Sequence, residues 1–181
     1  GNTSHAEGAS TIAFGNFSHA EGRDTLTSGA YSHAEGRTTL ASGAYSHAEG
    51  RETTSSGDYS HAEGRQTIAV GLYQHVQGQF NITSSVEAAF IIGNGASNNN
   101  RSNLVVASGS QVQITGSFSQ GTNAIASGSN SHAEGENTIA EGAGSHAEGV
   151  NTRAKGIYSH AEGLSTYALG TTSHAEGYFT H

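Results

Sequence analysis

Small residues stand at every second position along most of this chain, and a glycine closes each short run. Residues 30–36 read Ala-Tyr-Ser-His-Ala-Glu-Gly and residues 37–43 read Arg-Thr-Thr-Leu-Ala-Ser-Gly, so both end in small-x-Ala-x-Gly. Ser32, Ala34 and Gly36, then Thr39, Ala41 and Gly43, occupy the small positions. Residues at i, i+2 and i+4 share one face of a β-strand. Each half therefore predicts one short strand and a tight turn, with glycine supplying the turn conformation and permitting close backbone approach. A helix is excluded, because glycine every seven residues and Ser/Thr-rich turns each carry a helix penalty.

Two halves make a coil of 14 residues. The pentapeptide Ser-His-Ala-Glu-Gly occurs nine times, and its histidines mark the period at His5, His19, His33, His47 and His61, with a degenerate copy at His75. The series resumes at His132, His146, His160 and His174. A fixed short period means a stack of one small unit, and function is then sought in what the stack displays. The small residues are predicted to point inward, where two closing strands leave no room for more. Successive coils are predicted to stack as parallel strands ~4.8 Å apart.

The outward positions divide into two kinds. Tyr31, His33, Glu35 and Arg37 recur as Tyr45, His47, Glu49 and Arg51 and as Tyr59, His61, Glu63 and Arg65. The other half drifts, through Ile12/Phe14, Leu26/Ser28, Leu40/Ser42, Thr54/Ser56, Ile139/Glu141, Arg153/Lys155 and Tyr167/Leu169. A face that repeats identically is expected to meet the same partner at every level, and another copy of the same ladder is such a partner. The expected trimer interface is His5, Glu7, His19, Glu21, His33, Glu35, His47, Glu49, His61, Glu63, His132, Glu134, His146, Glu148, His160, Glu162, His174 and Glu176. Imidazole of one chain would hydrogen-bond or ion-pair with carboxylate of the next, and Arg and Tyr would extend the network at the rim.

The period breaks over 79–116. Two apolar runs, residues 86–92 and 104–106, flank an Asn-rich stretch with an Asn-Gly step. This predicts two longer strands and a protruding loop, an inserted β element. The expected organisation is repeats over 1–78, an insertion over 79–116 and truncated repeats over 117–181. The 94–103 loop is read first as an ordinary surface turn; a receptor contact in this fragment, if there is one, is expected there, since loops carry binding, and no receptor-binding residue is assigned.

The small-x-Ala-x-Gly halves on this period resemble the head repeats of trimeric autotransporter adhesins. The Ser-His-Ala-Glu-Gly wording is similar to repeats of phage tail-fibre and neck-appendage proteins. The resemblance covers roughly 1–78 and 117–178 and extends loosely to Phe90-Ile91-Ile92-Gly93-Asn94-Gly95 and Asn100-Arg101-Ser102-Asn103. It implies an all-β chain folded as a left-handed parallel β-roll, a homotrimer with three chains side by side. It also implies a structural role as shaft or head of an extracellular fibre, on a virion or a cell surface. In adhesin heads the outward positions of one half are often aliphatic, whereas here they are His and Glu.

Composition narrows the function classes. The chain has 181 residues, a formal charge of −8, 33% hydrophobic residues and no Pro, Cys, Met or Trp. It neither begins with Met nor ends on a whole repeat, and reads as a fragment of a longer protein. The acidic balance argues against nucleic acid as partner. No apolar run is long enough to span a membrane in this fragment. Self-association is the expected contact, with a host cell-surface receptor or glycan as a further one.

No catalytic residue is assigned. His-x-Glu occurs in zinc deaminases, but their Pro-Cys-x-x-Cys partner is absent. Neighbouring Ser and His on a strand point to opposite faces, which is no triad. Metal ligation is the runner-up for the His/Glu rows, or more broadly a ligand-binding solenoid. The rows show no distinct closed site, so no metal or cofactor is assigned. An ice-binding face is disfavoured because Thr11, Thr25, Thr39, Thr53, Thr67, Thr138, Thr152 and Thr166 fall at inward positions. The Tyr row is read as covering the roll's corner, with a sugar-binding stripe as the alternative.

Overall fold

The computed structural model describes residues 1–87 and 89–181; Ala88, within the first apolar run, lies outside the described residues. The described residues form strands and turns without a helix, in two units, Gly1–Gln113 and Ile114–His181.

Each coil of the first unit contributes one long and one short strand. The long strands His5–Ala9, His19–Arg23, His33–Arg37, His47–Arg51, His61–Arg65 and His75–Gln79 stack in parallel, followed by Phe90–Asn94. Asn103–Ser108 and Gln111–Ile114 complete a nine-stranded sheet. The short strands, from Ile12–Ala13 to Ile68–Ala69, make a separate five-stranded sheet. The second unit repeats the plan. Phe118–Gln120, His132–Glu136, His146–Val150, His160–Leu164 and His174–Tyr178 form one sheet, and Ile125–Ala126, Ile139–Ala140, Arg153–Ala154 and Tyr167–Ala168 form the other. Register is strict: His19 pairs with His33, Ala20 with Ala34, Glu21 with Glu35 and Gly22 with Gly36. Every side chain therefore sits over its equivalent one coil away, which turns a sequence repeat into straight rows. This is the β-solenoid that the period predicts.

The core is as narrow as the small residues require. Ala20, Ala34, Ala41, Ala48, Ala62 and Ala69 have no solvent exposure, and Ser32, Ser46, Ser60, Thr39 and Thr53 are buried beside them. The serine hydroxyls are satisfied locally: Ser32 Oγ donates to Gly29 O at 2.7 Å, Ser46 Oγ to Gly43 O at 2.7 Å and Ser60 Oγ to Gly57 O at 2.6 Å. A buried hydroxyl without a partner carries a desolvation cost, and Thr25, Thr39 and Thr53 bear it.

Glycine acts differently from the expectation. Gly36 does not complete an inward row; it is exposed, within the long strand, at φ 103°. A Cβ there would lie 2.2 Å from the carbonyl oxygen of Gly50 in the next coil. Gly43 is buried, and its Cβ would lie 2.0 Å from Gly57 O. Both glycines are demanded by stacking. The left-handed corners fall on other residues, Tyr31 at φ 58° and Thr38 at φ 57°. That conformation costs roughly 1–2 kcal/mol per residue. It is held by hydrogen bonds between coils, Tyr31 N to Asn16 O and Thr38 N to Arg23 O, both 2.8 Å.

The stack changes where the period breaks. Phe90 pairs with His75, one residue beyond the coil period, so the extra residue is absorbed between them. Gln74 takes a serine's place: its Oε1 accepts Val70 N at 3.0 Å and its Nε2 donates to Ser84 O at 2.9 Å. The Asn81 amide substitutes for a further short strand. Its Oδ1 accepts from Ile68 N at 2.8 Å and its Nδ2 donates to Ile68 O at 3.0 Å. Larger side chains then enter the core, where Val76, Ala89 and Ile91 cluster with Val106 against them. Phe90–Asn94 and Asn103–Ser108 run antiparallel, with a register shift between Ile92 and Gly93. Val86 lies before the strand, not in it. The connecting loop is tied down: Arg101 Nη1 donates to Gln66 O and Asn81 O, both at 3.0 Å, and Ser102 N donates to Phe80 O at 3.1 Å.

Candidate interaction face

The long strands carry the candidate site. Alternation along His33–Arg37 buries Ala34 and turns His33 and Glu35 outward, where both are about one-third exposed. In-register stacking then aligns imidazole on imidazole. Ring centroids of His19 and His33 lie 4.8 Å apart at 2°, and those of His33 and His47 4.7 Å apart at 4°. His132, His146 and His160 repeat this at 4.7 Å. The spacing is that of neighbouring strands. Phe90 extends the imidazole row of the first unit, 5.3 Å from His75, and Phe118 begins that of the second, 5.2 Å from His132.

A carboxylate row runs beside the imidazoles. In the first unit the closest imidazole–carboxyl approaches mostly step between coils: His33 to Glu21 at 3.7 Å, His47 to Glu35 at 3.5 Å, His61 to Glu49 at 3.6 Å and His75 to Glu63 at 3.6 Å. In the second they stay within a coil: His132 to Glu134 at 3.4 Å, His146 to Glu148 at 3.6 Å, His160 to Glu162 at 3.6 Å and His174 to Glu176 at 3.9 Å. The Nε2 atoms of His33, His47, His61, His146 and His160 are buried without a hydrogen-bond partner. Burial, and then neighbouring imidazoles, holds His47 and His146 below the usual histidine range; His61 is lowered by burial and by His75.

The carboxyls of the first unit also bond to one another, with alternating effect. Glu49 is pushed up to about 7, first by its hydrogen bond to Glu35 and then by burial. Glu21 is raised by its hydrogen bonds to Glu35 and Glu7. Glu35 is lowered by the bond to Glu49, and Glu7 by its bond to His5. Glu21 and Glu49 are thus biased toward the neutral form and Glu7 and Glu35 toward the charged one, which relieves repulsion along the row. A groove of about 530 Å³ follows this row, lined by Glu35, Glu49, Glu63 and the glycines beside them, and ends at Gln77 and Ile92.

The structure aligns the selected His and Glu residues within each unit. It does not join Arg and Tyr to them. Arg51 Nε turns to Glu52 Oε1 at 2.9 Å and Arg23 Nε to Asp24 Oδ2 at 3.2 Å, because the left-handed corner sets an acidic side chain beside the strand end. Phe17, Tyr31, Tyr45, Tyr59 and Tyr73 stack on one another at 4.8 to 5.1 Å. Their faces are covered by their own neighbours, so the row offers edges to solvent and no open ring face for a sugar. Sequence reasoning missed the alternating shifts of the carboxyls and the Phe90 and Ile92 continuation. The one-residue offset after His75 is the signal that pointed to the latter.

Coils of two strands in strict register, alanine inside and one constant polar row outside, define a repeat solenoid built for display. The family model of the YadA head domain repeat matches residues 1–18, 6–32, 48–73, 119–145 and 161–180, more than half of the chain. The chain belongs to this family, that of trimeric autotransporter adhesin heads, and is an adhesin-type head or shaft segment. Heads of this family are structural, are exposed at cell surfaces and form homotrimers. No curated protein matches the chain.

Proposed function

We propose that the chain is a stiff, protease-resistant segment of an extracellular homotrimeric fibre, with the His and Glu rows turned toward the equivalent rows of neighbouring chains. One observation carries this: the His/Glu face is constant from coil to coil and half-buried in the isolated chain, while the opposite face drifts. Exposed pairs contribute only ~0–1 kcal/mol each, so the rows fix register through number.

Sedimentation and native mass spectrometry test the assembly. The expected mass is three times 18.4 kDa. Glu21→Lys, Glu35→Lys and Glu49→Lys together should dissociate it while leaving the β spectrum intact. A monomeric wild-type chain overturns the reading, and an unaffected trimer in the triple variant moves the interface to another face.

The setting we propose is host attachment from a phage tail fibre or appendage, on the strength of the Ser-His-Ala-Glu-Gly wording. The family match favours a bacterial surface adhesin as the second reading. Immunogold labelling decides between them: label on virions supports the first, label confined to the bacterial envelope the second.

A further inference from the structure

We propose that the His-Glu-His triplets spanning two coils are sites for a divalent transition-metal ion of the zinc class. In the first unit His47, Glu49 and His61 place one ligand atom each within 4.8 Å of one another, and His146, Glu148 and His160 do so in the second. His61 Nε2 lies 3.6 Å from Glu49 Oε1, and His146 Nε2 lies 3.6 Å from Glu148 Oε2. Two donors on one tetrahedral ion, with bonds of about 2.0–2.1 Å, stand about 3.3 Å apart. One imidazole and the carboxylate already stand near that spacing, and tilting the second imidazole, whose ligand atom lies within 4.8 Å of the others, would close the set onto one ion.

Two further features point the same way. The Nε2 atoms of all four histidines are buried and without a hydrogen-bond partner, and a buried polar atom of that kind calls for an explanation. The groove along the carboxyl row gives solvent access to Glu49, and the net charge of −8 favours a cation. Two imidazoles and a carboxylate form a donor set suited to zinc, with a fourth position left for water. Imidazole donors select zinc, nickel, cobalt or copper over magnesium and calcium. Each ion would bridge successive coils and brace the stack along its axis.

The sites are complete within one chain, so they do not depend on the trimer. Among the described residues the first unit holds two such triplets that share no residue and the second holds two that share His160, so the triplets take at most three ions at once.

The experiment titrates chelator-stripped protein with Zn²⁺ alone, by native mass spectrometry and calorimetry, and with Co²⁺ by visible absorption. The expected result is binding at no more than three ions per chain, a tetrahedral Co²⁺ spectrum, reversal by chelator and no response to Mg²⁺. His61→Asn or Glu49→Gln should weaken one of the sites about tenfold or more, with far-UV circular dichroism unchanged. No binding, or a stoichiometry and affinity identical in both variants, overturns the proposal. A monomer that takes up Zn²⁺ keeps the metal sites and removes the interface; a metal-free trimer does the reverse.

Discussion

The two units write the same pentapeptide and use it differently. In Gly1–Gln113 imidazoles mostly pair with the carboxylate of the preceding coil, and Glu49 is pushed up to about 7 by Glu35 and burial. In Ile114–His181 each imidazole stays with the carboxylate of its own coil. The residue after the pentapeptide separates them: Ala9 and then Arg23, Arg37, Arg51 and Arg65 in the first unit, Glu136, Val150, Leu164 and Tyr178 in the second. Cations end most rows of one unit, while an acid and then apolar side chains end those of the other. The left-handed corners divide in the same way. The first unit stacks aromatic rings at one corner, whereas the second runs an amide ladder at the other, Asn123 Nδ2 to Asn137 Oδ1 at 2.9 Å and Asn137 Nδ2 to Asn151 Oδ1 at 3.2 Å. A shared core with unlike rims shows that alanine and glycine set the coil, and that the remaining positions only decorate it.

The largest expected effect erases that difference. Ala34→Leu and Ala147→Leu both force a large side chain between closing strands at fully buried positions. Each should cost at least about 3 kcal/mol, since overpacking here meets backbone on both sides. Hydrogen exchange should report equal loss of protection in the substituted coils of both units. Normal protection in either variant would refute the inward assignment there. Gly36→Ala should act as strongly, because its Cβ would fall 2.2 Å from the next coil's carbonyl oxygen.

This core was legible from the sequence because its signal is local. Small residues at alternate positions and a fixed period yield the strands, the register and the outward His and Glu. The corners were not legible. Tyrosine at positive φ runs against local propensity, and only the hydrogen bonds between coils, such as Tyr45 N to Ala30 O at 2.8 Å, make it tolerable. The caps were hidden for a similar reason. Gln74 and Asn81 read as ordinary polar residues until their amides are seen replacing a serine and a strand. The choice between pairing within a coil and between coils is likewise absent from a pentapeptide that is identical in both.

Corner substitutions should sharpen the contrast at an intermediate size. Asn137→Ala removes two amide bonds and a residue tolerant of φ 54°, and should cost about 1–2 kcal/mol. Asn137→Gly restores the backbone preference and should recover part of that loss. Tyr45→Ala removes a ring stacked on both sides, at 4.8 Å and 4.9 Å, and should cost at least as much. Tyr45→Asn should be the mildest change at that site, since asparagine accepts the conformation. Thermal melts of the four variants check this order, and a Tyr45→Asn variant less stable than Tyr45→Ala would break it.

The smallest effect is in pH, measured with a chelator present. Glu49 is raised to about 7, so its contribution is complete below the unfolded value near 4.5 and is lost as pH rises through about 7. His47 and His61 are lowered, so theirs is present above about 6.5 and lost as pH falls below it. Local stability around these residues should therefore peak between the two limits. In the second unit the resolved histidine shift is that of His146, also downward, so stability there should only fall on acidification. All these groups are partly exposed, and solvent screening keeps the changes small. Hydrogen exchange from pH 5 to 8 should show a maximum for the coils around His47, and for those around His146 a rise that levels off above about 6.5. Parallel profiles in the two units would show that their rows titrate alike despite the different pairing.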